Sequence, residues 1–514
     1  LLSLRACKSI MGPQMTVKSA ELGLHTDFII DTVDDRIFGG FLEHMGRSIY
    51  EGVYDPDSEH ADEDGMRTDV LDALRQLEMP VVRYPGGNFA SGYHWLDGVG
   101  NKTSRPVVRE LAWQSIEPNQ FGTDEFIRLC RKLDWTPMLA VNLGTGTPEE
   151  ARNWVEYCNA QAGTKFADMR VENGNSVPHA VPIWCLGNEM DGPWQLGHVP
   201  ADEYAISAQQ AAKMMKGCDN SIQTVACGSS GPQMPTFGEW DRTILEKMGA
   251  GLADYISLHR YVGNPDGNLT DYLAISNAID QQIETIDACA RYVQGKRRSS
   301  RRSYLCFDEW NVWYRARGGN HSDGQGQFAP HLIEERYNFE DALVVATFLM
   351  SFIRHADSVK IANLAQLVNV IAPVLTRGDQ LLKQSIFYAF RMISIRKGGV
   401  ALRHSITCDG YESSTYGYVK DLDSASIIDG NLLKVFALNR DPENPMQLKV
   451  SVADRAIGRV VSSDILHAKS PEASNDFDEP EAVISTTHEG WAINNEATTE
   501  IPPLGLIATT FEMT

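Results

Sequence analysis

The sequence predicts an α/β fold, a (β/α)8 TIM barrel followed by an antiparallel β-sandwich of the jelly-roll type that N-terminal strands complete. Three observations support this prediction. Eight short apolar segments alternate with helical patterns over residues 36–397, which is typical of parallel strands buried on both faces. Helical periodicity then stops, and short β-rich segments separated by Pro, Asp, Asn and Ser fill residues 398–514. One or two further strand-like segments lie at residues 22–33.

The barrel elements can be placed one by one. The eight strands are predicted at residues 37–44, 81–84, 138–142, 181–186, 224–227, 255–259, 304–309 and 359–364. The helices between them are predicted at residues 69–77, 123–133, 148–161, 201–216, 271–293 and 339–355, where apolar residues recur every three or four positions. A doubly wound open sheet is the alternative. It would more often carry a glycine-rich phosphate loop, and no G-x-G-x-x-G follows an early strand.

The remaining parts flank the barrel. The β-sandwich strands are predicted at residues 432–438, 448–452, 460–461, 482–486 and 504–511. Residues 16–35 are expected to join that sandwich, because barrel termini lie near each other and a sandwich needs its edges covered. Residues 1–15 are expected to be an extension that need not belong to the native chain. Their apolar run is too short for a signal peptide.

The amino-acid composition argues against several classes of binding partner. With 46 Lys and Arg against 68 Asp and Glu, the net charge is −22, which argues against nucleic acid or an anionic membrane as a partner. The basic residues at 296–302 are interpreted as a solvated loop on such an acidic chain. Nine scattered cysteines without metal-ligand spacing indicate a reducing, cytoplasmic setting and neither a metal site nor a disulfide framework. No apolar run reaches the ~20 residues of a membrane helix.

Polar residues follow the predicted strands at the face where barrels place active sites. They are Glu43, Asn88, Asn188, Glu189, His259, Tyr261, Glu309 and Gln366. Two carboxylates about 5 Å apart are what a retaining glycoside hydrolase needs. Glu43, Glu189 and Glu309 compete for the two roles, with Asp308 as a fourth candidate, and sequence geometry alone does not rank them. Strand alternation is expected to turn Asp308 and Glu309 to opposite faces, so that only one points into the pocket.

Seven motifs, taken together, resemble the α-L-arabinofuranosidases of glycoside hydrolase family 51, which belong to a clan of retaining barrel glycosidases. They lie at residues 38–47, 83–89, 113–122, 187–195, 259–261, 308–313 and 365–369. The resemblance implies that Glu189 is the acid/base and Glu309 the nucleophile. It also implies substrate-binding residues, namely Glu43, Asn88, Asn188, His259, Tyr261 and Gln366, with Trp113 and Trp313 as aromatic walls. A core role is the alternative for Trp113.

The expected function is therefore exo-acting hydrolysis of terminal α-L-arabinofuranosyl residues from oligosaccharides by double displacement. The resemblance further implies a cytoplasmic homo-oligomer, a hexamer, that needs no cofactor. An endo-glucanase or another furanosidase on the same scaffold is the first alternative, and a sugar-binding protein without hydrolysis is the second. The glycine-rich residues 315–330 are expected to form a lid or pocket wall, and they leave the linkage preference open.

Overall fold

The computed structural model describes residues 16–314 and 324–514. The predicted extension at residues 1–15, and residues 315–323 of the predicted lid, lie outside the described residues. An eight-stranded closed barrel forms the larger part of the structure. Its strands are β2 (Gly39–Phe41), β3 (Val81–Tyr84), β4 (Thr136–Ala140), β5 (Ile183–Leu186), β6 (Gln223–Ala226), β7 (Tyr255–Val262), β8 (Tyr304–Val312) and β9 (Val359–Ala365).

The barrel strands follow one another in chain order, and β9 closes the ring against β2. Every neighbouring pair is parallel. Met138, Ile183 and Ile361 belong to an apolar cluster that fills the interior, while the outward residues of the same strands join the core beneath the helices. Burial on both faces explains why these strands are continuous apolar runs in the sequence, and the predicted (β/α)8 barrel is confirmed.

Ten helices surround the barrel in the described residues. They are α1 (Thr68–Arg75), α2 (Thr123–Leu133), α3 (Pro148–Asn159), α4 (Lys165–Glu172), α5 (Ala201–Cys218), α6 (Glu239–Met248), α7 (Leu269–Leu273), α8 (Ser276–Arg297), α9 (Phe339–Arg354) and α10 (Ser385–Ser394). The single helix predicted at 271–293 is two helices, α7 and α8. Helices α4, α6 and α10 were not predicted. Eight of the ten residues of α10 are buried, which removes the polar face that marks a helix in a sequence.

The C-terminal part is a ten-stranded sheet that includes the N-terminal strand β1 (Lys18–Thr32). The other strands are β10 (Val400–Cys408), β11 (Leu422–Asp429), β12 (Leu432–Asn439), β13 (Met446–Val452), β14 (Ile457–Leu466), β15 (Ser485–Thr487), β16 (Ala492–Asn494), β17 (Glu496–Ile501) and β18 (Leu506–Met513). The order across the sheet is β15-β14-β18-β12-β11-β10-β1-β13-β17-β16. Strand β1 pairs antiparallel with β10 and parallel with β13, so one pair departs from the antiparallel prediction.

The sheet folds over a core of its own, as a sandwich requires. Leu448 and Ile501 from one end of the strand order pack in the same cluster as Val435 and Phe511 from the other end. Along β12 the neighbouring residue Phe436 instead joins the core shared with the barrel. The sandwich is therefore buried on both faces where it meets the barrel. In the described part of the chain, no helix combines the length and the apolar character needed to cross a lipid bilayer.

Candidate active site

A cavity of about 480 Å³ opens at the carboxyl ends of the barrel strands. Eight of the ten predicted site residues line it: Glu43, Asn88, Trp113, Glu189, Tyr261, Glu309, Trp313 and Gln366. The other two, Asn188 and His259, lie behind this lining and are 1% and 2% exposed. The barrel thus brings together residues that are up to 323 positions apart in the chain, such as Glu43 and Gln366.

Two carboxylates face each other in this cavity. Glu189 follows β5, and Glu309 lies within β8. A carboxylate oxygen of each residue and one ring nitrogen of His259 all lie within 4.8 Å of one another. Glu189 has a left-handed backbone conformation with φ of 43°, which is uncommon for a residue other than glycine and typical of functional sites. This separation is the short one that direct attack on a sugar requires.

Glu309 is held by donors on both oxygens. Arg83 Nη1 donates to Oε1 at 2.6 Å, and the hydroxyl of Tyr261 donates to Oε2 at 3.0 Å. Burial raises the pKa of Glu309, and the nearby charge of Glu189 adds to this, while the cations His259 and Arg83 oppose it. The net pKa is raised, but both oxygens keep the donors that stabilise a carboxylate.

Glu189 is held differently. His259 Nδ1 lies 2.8 Å from its Oε1, and the indole N–H of Trp194 donates to its Oε2 at 2.7 Å. The Trp194 side chain is 50% exposed and stands at the mouth of the cavity. Sequence reasoning did not assign Trp194 to the site. Its position five residues after Glu189, beyond a Gly-Pro turn, was the available signal.

Arg83 organises the base of the cavity, and sequence reasoning missed this role. It is fully buried, and besides Glu309 it donates to the side-chain oxygen of Asn188 at 2.7 Å. Because that oxygen is occupied, the amide N–H groups of Asn188 remain for other acceptors, and one of them reaches Gln195 at 3.5 Å. A charged residue inside the apolar strand VVRY was the sequence signal, since a buried charge requires partners.

The expected opposite orientation of Asp308 and Glu309 is wrong. Arg83 contacts both carboxylates, at 3.4 Å and 2.6 Å, and His259 approaches both, at 3.3 Å and 3.5 Å. The reason is a β-bulge in β8, because β8 advances three positions from Cys306 to Glu309 while β7 advances only two, from Ser257 to His259. An extra residue in one strand shifts the alternation by one, so both acids turn toward the same side. Asp308 nevertheless stays behind the lining and is 1% exposed.

Glu43 is a third acid that lines the cavity. Its Oε1 accepts hydrogen bonds from the backbone of Phe89 and the indole of Trp113, both at 3.0 Å, and its Oε2 accepts from Gln366 at 3.1 Å. Burial, and then the charge of Glu309, raises the pKa of Glu43 to about 8. Trp113 is therefore tied to the site by a direct hydrogen bond, which favours its predicted site role over a core role.

An aromatic pair and a further loop segment also line the cavity. Trp313 packs edge-on against Tyr261 with ring centroids 5.3 Å apart. The segment 230–233 after β6 lines the cavity as well and was not predicted. Asp191 accepts from the backbone N–H of Ser230 at 3.0 Å and so links the loop after β5 to this segment.

Among the described residues, Glu189, His259 and Glu309 form the one acidic and histidine cluster compact enough to suggest a cation. The guanidinium of Arg83 already lies 2.6 Å from Glu309 and supplies a positive charge there. Together with the protonated His259, which lies 3.5 Å from the same carboxylate, this charge would repel a metal ion, so the donor set suits a hydrogen-bonded acid pair better than a metal.

Comparisons with known proteins agree with this geometry. Residues 73–279 match a family described as the α-L-arabinofuranosidase 1 domain, and residues 308–504 match the α-L-arabinofuranosidase C-terminal domain. The chain is 42% identical over 491 residues to the intracellular exo-α-(1→5)-L-arabinofuranosidase 1 of Bacillus subtilis, covering 95% of this chain and 98% of that protein. It is 36% identical over 509 residues to an exo-α-(1→6)-L-arabinofuranosidase of Bifidobacterium longum, covering 96% of this chain and 97% of that one.

Solved structures give the same result. A family 51 α-L-arabinofuranosidase from Bifidobacterium longum superimposes with a TM-score of 0.92 at 36% identity, covering 97% of this chain and all of that one. The arabinose complex of the α-L-arabinofuranosidase from Thermotoga maritima superimposes with a TM-score of 0.86 at 31% identity, covering 96% of this chain and all of that one.

Proposed function

The chain belongs to the α-L-arabinofuranosidases of glycoside hydrolase family 51, and on that premise we propose that it removes terminal, non-reducing α-L-arabinofuranosyl residues from arabinose-containing oligosaccharides. The observation that carries this proposal is the acid pair, since Glu189 and Glu309 bring carboxylate oxygens within 4.8 Å of each other in the cavity. Inverting enzymes separate their carboxyl groups by roughly 6.5–9.5 Å, so the pair supports double displacement with retention.

In the first step Glu309 attacks the anomeric carbon and forms a covalent glycosyl ester. The bond to the leaving oxygen breaks, and that oxygen takes the proton of Glu189. Arg83 and Tyr261 supply the donors that keep Glu309 available as a carboxylate. In the second step water attacks the same carbon, gives its proton to Glu189 and releases Glu309.

The other two acids, Glu43 and Asp308, are less suited to act as the nucleophile. The Glu43 carboxyl group already accepts three hydrogen bonds from neighbouring residues, and its pKa of about 8 leaves it protonated at neutral pH. A neutral acid is a poor nucleophile but can hydrogen-bond a sugar hydroxyl. Asp308 does not line the cavity. We therefore assign Glu43, with Gln366 and Asn88, which all line the cavity, to recognition of the furanose ring, and Trp113, Trp313 and Trp194 to stacking nearer the leaving group.

Product analysis tests this function. The protein is incubated with linear α-(1→5)-arabino-oligosaccharides and, in parallel, with arabinoxylo-oligosaccharides, and products are followed by chromatography. An exo-acting enzyme releases arabinose and shortens the linear chain by one unit at a time. Early release of longer fragments would indicate endo-action, and binding without product would indicate a sugar-binding protein. Comparison of the two substrates also gives the linkage preference, for which the α-(1→5) and α-(1→6) relatives differ.

Location and assembly form a further part of the proposal. We place the enzyme inside the cell, because the relatives from Bacillus subtilis and Acetivibrio thermocellus are named intracellular.

We also propose that it assembles as a homo-hexamer, following the family resemblance. The side chains of Val107 and Leu111 are 67% and 63% exposed and offer an apolar surface for such an interface. Sedimentation of the purified protein, which separates 57 kDa monomers from larger assemblies, tests this part.

A further inference from the structure

His259 occupies a position between the two proposed catalytic acids. Its Nδ1 atom lies 2.8 Å from Oε1 of Glu189 and 3.5 Å from Oε2 of Glu309. The ring is 2% exposed and does not line the cavity, so it is poorly placed to contact a sugar. Nδ1 therefore faces both acids from the side away from the cavity.

The other ring nitrogen is fixed by an anchor that the β8 bulge creates. Nε2 lies 3.1 Å from Oγ of Ser257 and 3.3 Å from Oδ1 of Asp308. Ser257 donates its own hydroxyl proton to Asp308, so its oxygen is left to accept from Nε2–H. Asp308 is 1% exposed and supplies a buried negative charge on this side. Both ring nitrogens thus face acceptors, which favours the doubly protonated ring.

We propose that His259 is a positioning residue whose imidazolium serves as the shared counter-ion of Glu189 and Glu309, with Asp308 and Ser257 as its anchor. This inference rests on the proposed function. In the first step the negative charge leaves Glu309, which becomes an ester, and appears on Glu189, which loses its proton. The second step returns the charge to Glu309. A cation that touches both oxygens can compensate the charge in either place without moving.

The surrounding charges are consistent with this assignment. The titratable and charged groups facing the ring or its partners come from several strands: Glu189 and Cys185 from β5 and its end, Asp308 and Glu309 from β8, Arg83 from β3, and Tyr261 from β7. Burial alone would lower the pKa of His259, but the charge of Glu309 and hydrogen bonds to Asp308 and Glu189 raise it well above its usual value. The cation also lowers the pKa of Glu309.

The test is the pH dependence of kcat/KM for α-(1→5)-arabinotriose in wild type and His259→Gln. Loss of the cation raises the pKa of Glu309, so the acidic limb, which Glu309 sets, should move up by about one pH unit. A sugar contact would instead raise KM and leave this limb in place. An acidic limb that stays within about 0.3 units of wild type would overturn the proposal, since an opposite charge this close shifts a pKa by at least about one unit.

His179→Gln is the matched control. His179 is also buried and also pairs with an acid, Asp124, at 2.8 Å, but it precedes β5 at the end opposite Glu189. This variant should lose stability without moving the acidic limb. His259→Asn serves as a second variant if His259→Gln does not fold.

A binding measurement, which does not need turnover, tests the proposal even in variants that fold but are inactive. Binding of the basic sugar mimic 1,4-dideoxy-1,4-imino-L-arabinitol, measured by calorimetry, should weaken as Glu309 becomes protonated. In His259→Gln and His259→Asn this loss should occur about one pH unit higher than in wild type, and the same midpoint in all three proteins would refute the inference. A wild type that releases no arabinose would instead refute the proposed function.

Discussion

Gly87 forms part of the cavity floor, and we expect Gly87→Ala to slow catalysis without unfolding the protein. A Cβ atom on Gly87 would lie 2.9 Å from Oε1 of Glu309 and 3.4 Å from Oε2 of Glu43. Real Cβ contacts are essentially never shorter than 3.0 Å, so the carboxylate must move. The atom displaced is the one that accepts the 2.6 Å hydrogen bond from Arg83. The alanine methyl therefore acts directly on the nucleophile.

The size of the effect follows from this displacement. Misplacing a reacting atom by about 1 Å costs on the order of 100-fold in rate, and the shift needed here is a fraction of that. We expect kcat to fall by about 10- to 100-fold, which corresponds to about 1.4–2.7 kcal/mol of lost transition-state stabilisation. The atoms that the Cβ would meet are the far ends of the Glu309, Glu43 and Asn188 side chains, which can shift without moving the backbone around them, so the protein should stay folded.

Gly92→Ala provides the matched control for this experiment. Gly92 lies in the same short helical segment, Asn88–Gly92, and its side is open to solvent. A Cβ atom there meets only Leu196, at an ordinary 3.4 Å. Both variants are assayed with an aryl α-L-arabinofuranoside and with arabinotriose, and their melting temperatures are compared. Wild-type kcat in Gly87→Ala would refute the placement of Glu309 as nucleophile, and an equal loss of activity in Gly92→Ala would show that the effect is not local.

Three further outcomes are expected. Glu309→Ala should abolish turnover of every substrate, because no other group can form the glycosyl ester, and a near-normal rate would contradict the assignment. Glu189→Ala should slow hydrolysis of arabinotriose by roughly 10²–10⁴-fold but affect release of an activated aryl group far less in the first step, which rate measurements on both substrates decide. Arg354→Met should destabilise the protein by about 2–4 kcal/mol at pH 7 in urea denaturation, because Arg354 joins Asp280 of α8 to Asp423 of β11. Burial alone would raise the pKa of Asp280, but Arg354 holds it well below its usual range. This stability is therefore present at neutral pH and is lost as the pH falls toward that lowered pKa, so the gap between variant and wild type should narrow near pH 3.

Much of the barrel could be predicted because its strands carry two independent signals. Burial on both faces produces the short apolar runs, and the polar residues that end them, such as Asn88 and Gln366, mark the carboxyl face. The same reasoning selected Glu43, Glu189 and Glu309 as candidate acids. Elements without a periodic signal were missed, and α10 is the clearest case, since a helix buried almost all round has no polar stripe.

The sequence by itself therefore determined the barrel, the added sandwich and the set of acids at one face, because each depends on local patterns of burial and polarity. The tertiary structure alone decided how those acids are arranged. The bulge in β8 turned Asp308 to the same side as Glu309, and closure of the barrel placed Arg83 and His259 between them. The contact of Arg83 with Glu309 joins residues 226 positions apart, and that of His259 with Glu189 joins residues 70 apart. The orientation of Asp308 depends on one extra residue in a strand, and no periodicity in the chain records any of these relationships.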